Sequence, residues 1–377
     1  MKHRGILFSM IFLGCIFLLY MQPVWFPQVS SDLPDKSEIR REPPSTSWNY
    51  EPIKTDGFAK WIGQNLADFE AVYGNPEEEY SSGFSFIIHK YQLEDQAYLE
   101  VNTEKSRITS LKFLGKKTQD IEPFQVGMTM NELAKTTMIY PNFSINHDGR
   151  TISFELMEDD MNYRPLIAFD NGSFAILFFS QKKGESFLYS VMYLDRATLI
   201  KLAPYQVTEG MVPRFVQEEA ADWEVINQNK QVQSKELLQV LRQNDRLSEF
   251  VDLNTDVQML SEQILGTFLD QKEEFLTTER VKHLQRVQAG KETSLFALTK
   301  SEMEDLVTEV SNKELNVYLE LPVYDPMFTI LSWYSMPYMH SRFMHRDPES
   351  LGIAFSKENV VVLLQPIQNK TEESDAN

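Results

Sequence analysis

The 377-residue sequence predicts an α+β protein: a single N-terminal transmembrane helix, a duplicated helix-plus-antiparallel-meander domain, and then an α/β/α sandwich. Three observations predict it. An unbroken apolar run fills residues 5–21; a glycine–helix–proline pattern occurs twice, 64 residues apart, between 57 and 200; and from about 232 the apolar spacing turns helical before a closing pair of strands.

The apolar run, GILFSMIFLGCIFLLYM, follows Met1-Lys2-His3-Arg4. Its 17 residues give a helix of roughly 25 Å, long enough for a thin bilayer when Pro23-Val24-Trp25-Phe26 sits in the interface. Lys2 and Arg4 hold the N-terminus in the cytoplasm, which places the rest of the chain outside. Leu19, Tyr20 and Met21 lack the small side chains of a signal-peptidase cut. Leu13-Gly14-Cys15 faintly resembles a lipoprotein cleavage box, but Ile16-Phe17-Leu18-Leu19 continues apolar where a mature lipoprotein turns polar. Residues 1–26 therefore read as a cytoplasmic stub and an uncleaved signal anchor, with lipoprotein and secreted forms as the alternatives. The expected location is the cell membrane, single-pass, with the C-terminal domains extracellular.

Hydrophobic content of 42% and aromatic content of 12% are globular values, so the exported part can bury ordinary cores. Cys15, inside the apolar run, is the single cysteine, which excludes disulfides and thiolate chemistry outside the membrane. Net charge is −19, and no basic stripe interrupts it, which excludes nucleic acid as a partner.

Residues 27–56 are rich in proline, serine and charge and read as an extended, disordered stalk; residues 367–377 read as a disordered polar tail. Residues 57–200 hold the repeat. Gly63, the pair Asp68-Phe69 and Pro76 recur as Gly127, Glu132-Leu133 and Pro141, at offsets of 64, 64 and 65. In each copy a glycine turn starts a short amphipathic helix that a proline turn ends. Strands are expected at 84–91, 97–102 and 108–114 in the first copy, and at 151–157, 166–169, 174–179 and 188–193 in the second. Each copy thus reads as one helix on a meander. Glu77-Glu78-Glu79 and Glu155/Glu158-Asp159-Asp160 lack the ligand spacing and glycine of a calcium loop and read as solvated turns.

Residues 201–231 read as a connector and 232–366 as the second domain. Helices are expected at 235–248, 255–269 and 278–287, with Asn254 and Thr277 as N-caps and a further start at Ser301-x-x-Glu304. A strand at 315–321, a helix at 327–343 and a hairpin of 351–355 with 360–365 complete it.

The densest motif is Trp333-Tyr-Ser335 through His340 to Leu351-Gly352-Ile353-Ala354. Trp, Ser and His on a helix, followed by a Leu-Gly-Ile strand, resembles the closing half of a CAP domain, the superfamily of cysteine-rich secretory and pathogenesis-related proteins. One extra residue separates Ser335 from His340, and Ala354 replaces the last glycine of the family strand. Phe58 to Pro76 and Pro123 to Leu133 resemble the CAP-associated N-terminal domain that precedes CAP domains in exported bacterial proteins of Gram-positive type. The resemblance implies a CAP-like sandwich with a central cleft that in metal-binding members holds two histidines and two acids. By position those histidines fall on Ile264 and near Thr277, and the acid ahead of the Trp falls on Leu331. His340 alone keeps a family position, with Glu320 a shifted stand-in for the other acid, so no metal and no other cofactor is expected.

His340, Glu320, Trp333 and Ser335 are accordingly the candidate ligand-binding residues, and no catalytic residue is assigned. Signatures such as Gly-x-Ser-x-Gly, His-Glu-x-x-His and a phosphate loop are missing from the sequence. The expected function is that of a non-catalytic envelope module, held in the membrane by its N-terminal helix, that binds a protein, lipid or cell-wall ligand. The alternatives are a divergent wall or peptide hydrolase using His340 and Glu320, and a structural partner docking through residues 57–200.

Overall fold

The computed structural model describes residues 50–93, 97–115, 119–182, 184–250, 255–311, 315–347 and 349–367. The apolar run, most of the stalk, Asn254 and the tail lie outside the described residues. Among those described, no helix is long and apolar enough to cross a membrane. The described residues form one compact unit.

Both expected repeat helices form, α1 (Leu66–Tyr73) and α2 (Met130–Thr136). α2 opens on a full capping box, in which Thr129 Oγ1 accepts from Glu132 N and the Glu132 carboxylate returns to Thr129 N. The first copy supplies β1 (Glu78–Ser81), β2 (Ile87–Gln92), β3 (Tyr98–Glu104) and β4 (Arg107–Leu114). The second supplies β5 (Asn142–His147), β6 (Arg150–Glu155), α3 (Glu158–Tyr163), β7 (Leu166–Ala168), β8 (Phe174–Lys182) and β9 (Glu185–Leu194). The acidic stretches are therefore an edge strand and a helix start, where the sequence suggested turns. Glu78 and Glu79 reach Lys90 and His89 on β2, and Asp160 caps α3 and pairs with Arg164.

The two meanders do not make two separate units. They join edge to edge in one antiparallel sheet of order β1-β2-β3-β4-β9-β8-β7. The duplication is exact at the level of hydrogen bonds: Gly63 N donates to Ile108 O and Ile108 N to Gln64 O, while Gly127 N donates to Leu188 O and Leu188 N to Met128 O. Both hairpins carry a bulge at the same point, between Asn102 and Thr103 and between Phe178 and Phe179. In the β4–β9 pair Lys112 lies opposite Met192, the same 80-residue separation as Ile108 and Leu188. A local two-fold axis therefore passes through the Lys112–Met192 pair.

Alternation sorts the sheet's two faces. Leu99, Val101, Leu111, Phe113, Leu177, Val191 and Tyr193 meet Phe58, Phe69 and Leu133 on one side. Tyr98, Leu114, Phe174, Ile176, Phe178, Met192 and Leu194 join a core shared with the second domain on the other. That second face is also met by a small sheet, β10-β6-β5, whose β10 (Gln206–Glu209) follows α4 (Arg196–Leu202).

The second domain is a sandwich about the sheet β11-β12-β14-β13, from Phe296–Ala297, Asn316–Leu321, Asn359–Pro366 and Glu349–Ser356. One face packs α6 (Thr255–Phe275), α7 (Thr278–Gln288) and α8 (Lys300–Val310) through Ile264, Leu284, Leu306, Val317, Leu319, Val361 and Leu363. The other packs α5 (Trp223–Asn244) and α9 (Pro326–Ser335) through Leu237, Ile330, Trp333, Val360 and Val362. α5 starts at Trp223, inside the stretch read as connector, with Asp222 as its N-cap. Thr277 caps α7 as expected. The N-cap of α8 is Thr299, two residues before the expected Ser301, because Thr299 and Glu302 form the capping box and Glu302 also binds Arg280. The single helix expected over 327–343 is broken at Met336: Pro337 has no N–H to continue α9 and instead starts α10 (Pro337–Phe343).

Candidate functional site

The segment from Ala203 to Arg214 crosses from the repeat domain to the sandwich and borders a cavity of about 620 Å³. Asp160 from α3 and Arg164 just past its end, Lys201 from α4, and Tyr205, Val207, Val212 and Arg214 line the repeat-domain side. Tyr318 and Glu320 from β12, Phe328, Ser332 and Trp333 from α9, and Met336 and Met339 line the sandwich side. The volume suits a small organic ligand.

Glu320 enters the cavity because β12 alternates: Val317, Leu319 and Leu321 fill the helical core on the far face, leaving Tyr318 and Glu320 on this one. Its carboxylate accepts from the Tyr318 hydroxyl and from Trp333 Nε1 at 3.2 Å. Burial pushes the Glu320 pKa up, and the two donors and nearby Arg164 only partly oppose it. The structure thus brings Glu320 and Trp333 together.

It sends Ser335 and His340 elsewhere. Ser335 Oγ donates to Leu331 O at 2.8 Å and meets the Tyr189 hydroxyl at 3.3 Å, a stitch between α9 and the repeat domain. His340 Nδ1 lies 2.8 Å from Tyr334 O and its Nε2 lies 3.3 Å from Asp245, which also binds Lys182 at 2.8 Å. Burial would raise the Asp245 carboxyl, but bonds from His340, Lys182 and Tyr334 outweigh it and hold the pKa at about 2. His340 and Glu320 therefore belong to separate hydrogen-bond sets. Ile264, read at a family histidine position, lies on the far face of the sheet from Glu320. Among the described residues no three histidine, cysteine or carboxylate side chains converge to hold a metal ion.

The sequence reading missed the basic side of the cavity. Arg164 Nη2 binds Asp160 at 2.6 Å, and Lys201 binds Glu104 at 2.6 Å. Arg214 Nη2 donates to Glu292 O at 2.9 Å, running over Gly290, where a Cβ would meet its Cδ at 2.9 Å. Gly290 also holds a φ of +72°, so glycine serves both the turn after α7 and the arginine's path. Nothing in the local sequence marks Arg164 or Arg214, each beside a proline in an irregular stretch. Ser332 was legible in principle, since it shares a helical stripe with Phe328 and Met336 at i−4 and i+4.

Two polar atoms of this lining are left over. Among the described residues, the buried Oγ of Ser332, which is 8% exposed, has no protein hydrogen-bond partner, and neither has Arg164 Nε. The acids are all engaged: Asp160 by Arg164 and Met157 N, Glu320 by Tyr318 and Trp333, Asp325 by Lys112, Asn102 and Phe328 N.

Residues 62–205 match the family model of the CAP-associated N-terminal domain. The whole body resembles two solved structures. One is a cysteine-rich secretory protein of Staphylococcus aureus (TM-score 0.62, 17% identity, 84% of this chain and 95% of that one); the other is an extracellular protein containing an SCP domain from Bacillus anthracis (TM-score 0.61, 15%, 88% and 100%). The chain thus carries a CAP-associated N-terminal domain ahead of a sandwich, in the fold of SCP-domain proteins. It is also 25% identical over 245 residues to YlbC, an uncharacterized membrane protein of Bacillus subtilis, covering 63% of this chain and 68% of that one.

Proposed function

We propose that this protein is a membrane-anchored module of the bacterial cell envelope that holds its two-domain body outside the cell and binds a ligand, without turnover, in the cavity between the domains. The observation that carries this reading is the cavity itself, about 620 Å³ and lined from both domains, with its acids engaged and buried Ser332 Oγ unpartnered. The anchor rests on residues 5–21 and on Lys2 and Arg4; the membrane protein of B. subtilis is consistent with it.

The test is native mass spectrometry of the full-length protein, made in an exporting bacterial host and released from detergent in the gas phase. A reproducible added mass of small-ligand size, lost when Ser332→Trp fills the cavity, is expected. Turnover of a wall or peptide substrate that disappears in both Glu320→Gln and His340→Ala would instead establish the hydrolase, and overturn the proposal.

A further inference from the structure

The chain carries 55 acidic against 36 basic residues, yet the cavity lining is even, with Asp160, Glu320 and Asp325 against Arg164, Lys201 and Arg214. Its acids are spent on internal donors, and burial pushes Glu320 toward its neutral form. Its bases are spent only in part: Arg164 pairs with Asp160 through Nη2 and Lys201 with Glu104. Among the described residues the buried Arg164 Nε–H has no acceptor, and Arg214 has no carboxylate within ion-pair distance, bonding instead to the Glu292 carbonyl and to the Tyr324 side chain. Ser332 Oγ, buried and unpartnered, adds a hydroxyl on the sandwich side. A buried donor left unmade is costly, and a guanidinium in a partly enclosed site favours an anionic acceptor.

The rest of the wall is of another kind. Phe328, Trp333, Met336 and Met339 present aromatic and thioether surface, which adapts to an unbranched apolar body. Building on the binding reading above, we infer that the cavity takes a single-chain amphiphile with an anionic head: the head on Arg164, Arg214 and Ser332, the chain along Phe328, Trp333 and the two methionines. A carboxylate and a phosphate head share this chemistry, the first pointing to a free fatty acid and the second to a lipid-derived phosphate.

The experiment is calorimetric titration of the full-length protein in phosphatidylcholine nanodiscs, with empty discs as the blank. The probes are dodecanoate, dodecyl phosphate, dodecanol and dodecylammonium. At least one anion should bind about ten-fold or more tighter than dodecanol, and Arg214→Gln should erase that preference while leaving the alcohol unchanged. The tighter of the two anions identifies the source. Equal or better binding of dodecanol or dodecylammonium overturns the inference without any variant. If none of the four binds while the mass measurement shows a different bound species, this inference fails and the binding module stands. If both measurements are blank, both readings fail.

Discussion

Lys230 on α5 is 1% exposed, and among the described residues its ammonium meets no carboxylate at bonding distance. It donates to Lys357 O at 3.0 Å and lies over the rings of Phe84, Trp223 and Phe355, at 4.5, 5.5 and 6.0 Å. Burial lowers its pKa from 10.5 to about 7, with Glu358 and Asp325 too distant to restore it. Between those two values the unfolded chain keeps a proton that the folded chain has released, so stability rises with pH through the window and the penalty is full below about 7. Lys230→Met should therefore stabilise the protein at pH 6 by roughly 2–4 kcal/mol, after allowing for the lost carbonyl bond and ring contacts. The gain should shrink steadily toward pH 10. Thermal melts of both proteins across that range check it, and parallel curves would refute it. No sequence pattern announces this lysine, because its environment comes from three segments far apart in the chain. Glu320 was legible only as an acid near the right place; that it would sit under Trp333 follows from strand alternation, whereas the partner of His340, Asp245, is the C-cap of a helix whose end the sequence placed four residues further on.

At the scale of elements, the Leu351-Gly352-Ile353 strand was readable as a motif, but its reason was not. A Cβ at Gly352 would meet Val257 O at 2.5 Å and Ser261 Cβ at 3.1 Å, so the glycine sets how closely α6 lies on β13. The neighbours confirm the intimacy: the Gln258 amide donates to Ile353 O at 2.9 Å, and its carbonyl accepts from Ile353 N at 3.2 Å. Gly352→Ala forces backbone against backbone and should destabilise by about 1–3 kcal/mol in urea unfolding. A change within experimental error would mean that α6 can back away freely. Periodicity found most helices because their buried stripes are regular. It misjudged ends where two frames compete, as Thr299 and Ser301 do, and where Pro337 interrupts an otherwise continuous apolar face. The repeat was half-visible for a related reason. Its turns recur at 64 residues but its last strands at 80, since the second copy has extra chain between them, so a search at fixed offset loses the strands.

The molecule as a whole is tied together where its internal symmetry ends. Lys112, on the local two-fold axis of the repeat sheet, is fully buried and binds Glu100 on the neighbouring strand and Asp325, the N-cap of α9 in the sandwich. Asn102 Nδ2 adds a bond to the same Asp325 oxygen at 3.0 Å. Burial works against the Lys112 charge, but the two carboxylates overcome it and raise its pKa; Glu100 is raised by burial, with Asp325 repulsion adding to it. Because Asp325 starts the helix that carries Phe328, Ser332 and Trp333, this junction also fixes one wall of the cavity. A shared apolar core runs through the same interface, so the two domains should unfold in a single transition. Lys112→Met leaves two buried carboxylates facing each other and should cost about 3–5 kcal/mol. Adding Glu100→Gln and Asp325→Asn removes the charges while keeping the helix cap, and should recover more than half of that loss. Urea unfolding followed by far-ultraviolet and tryptophan signals together measures both claims. Two separated transitions in the parent protein, or a triple variant no more stable than Lys112→Met, would show that the charges do not hold the domains as this geometry requires.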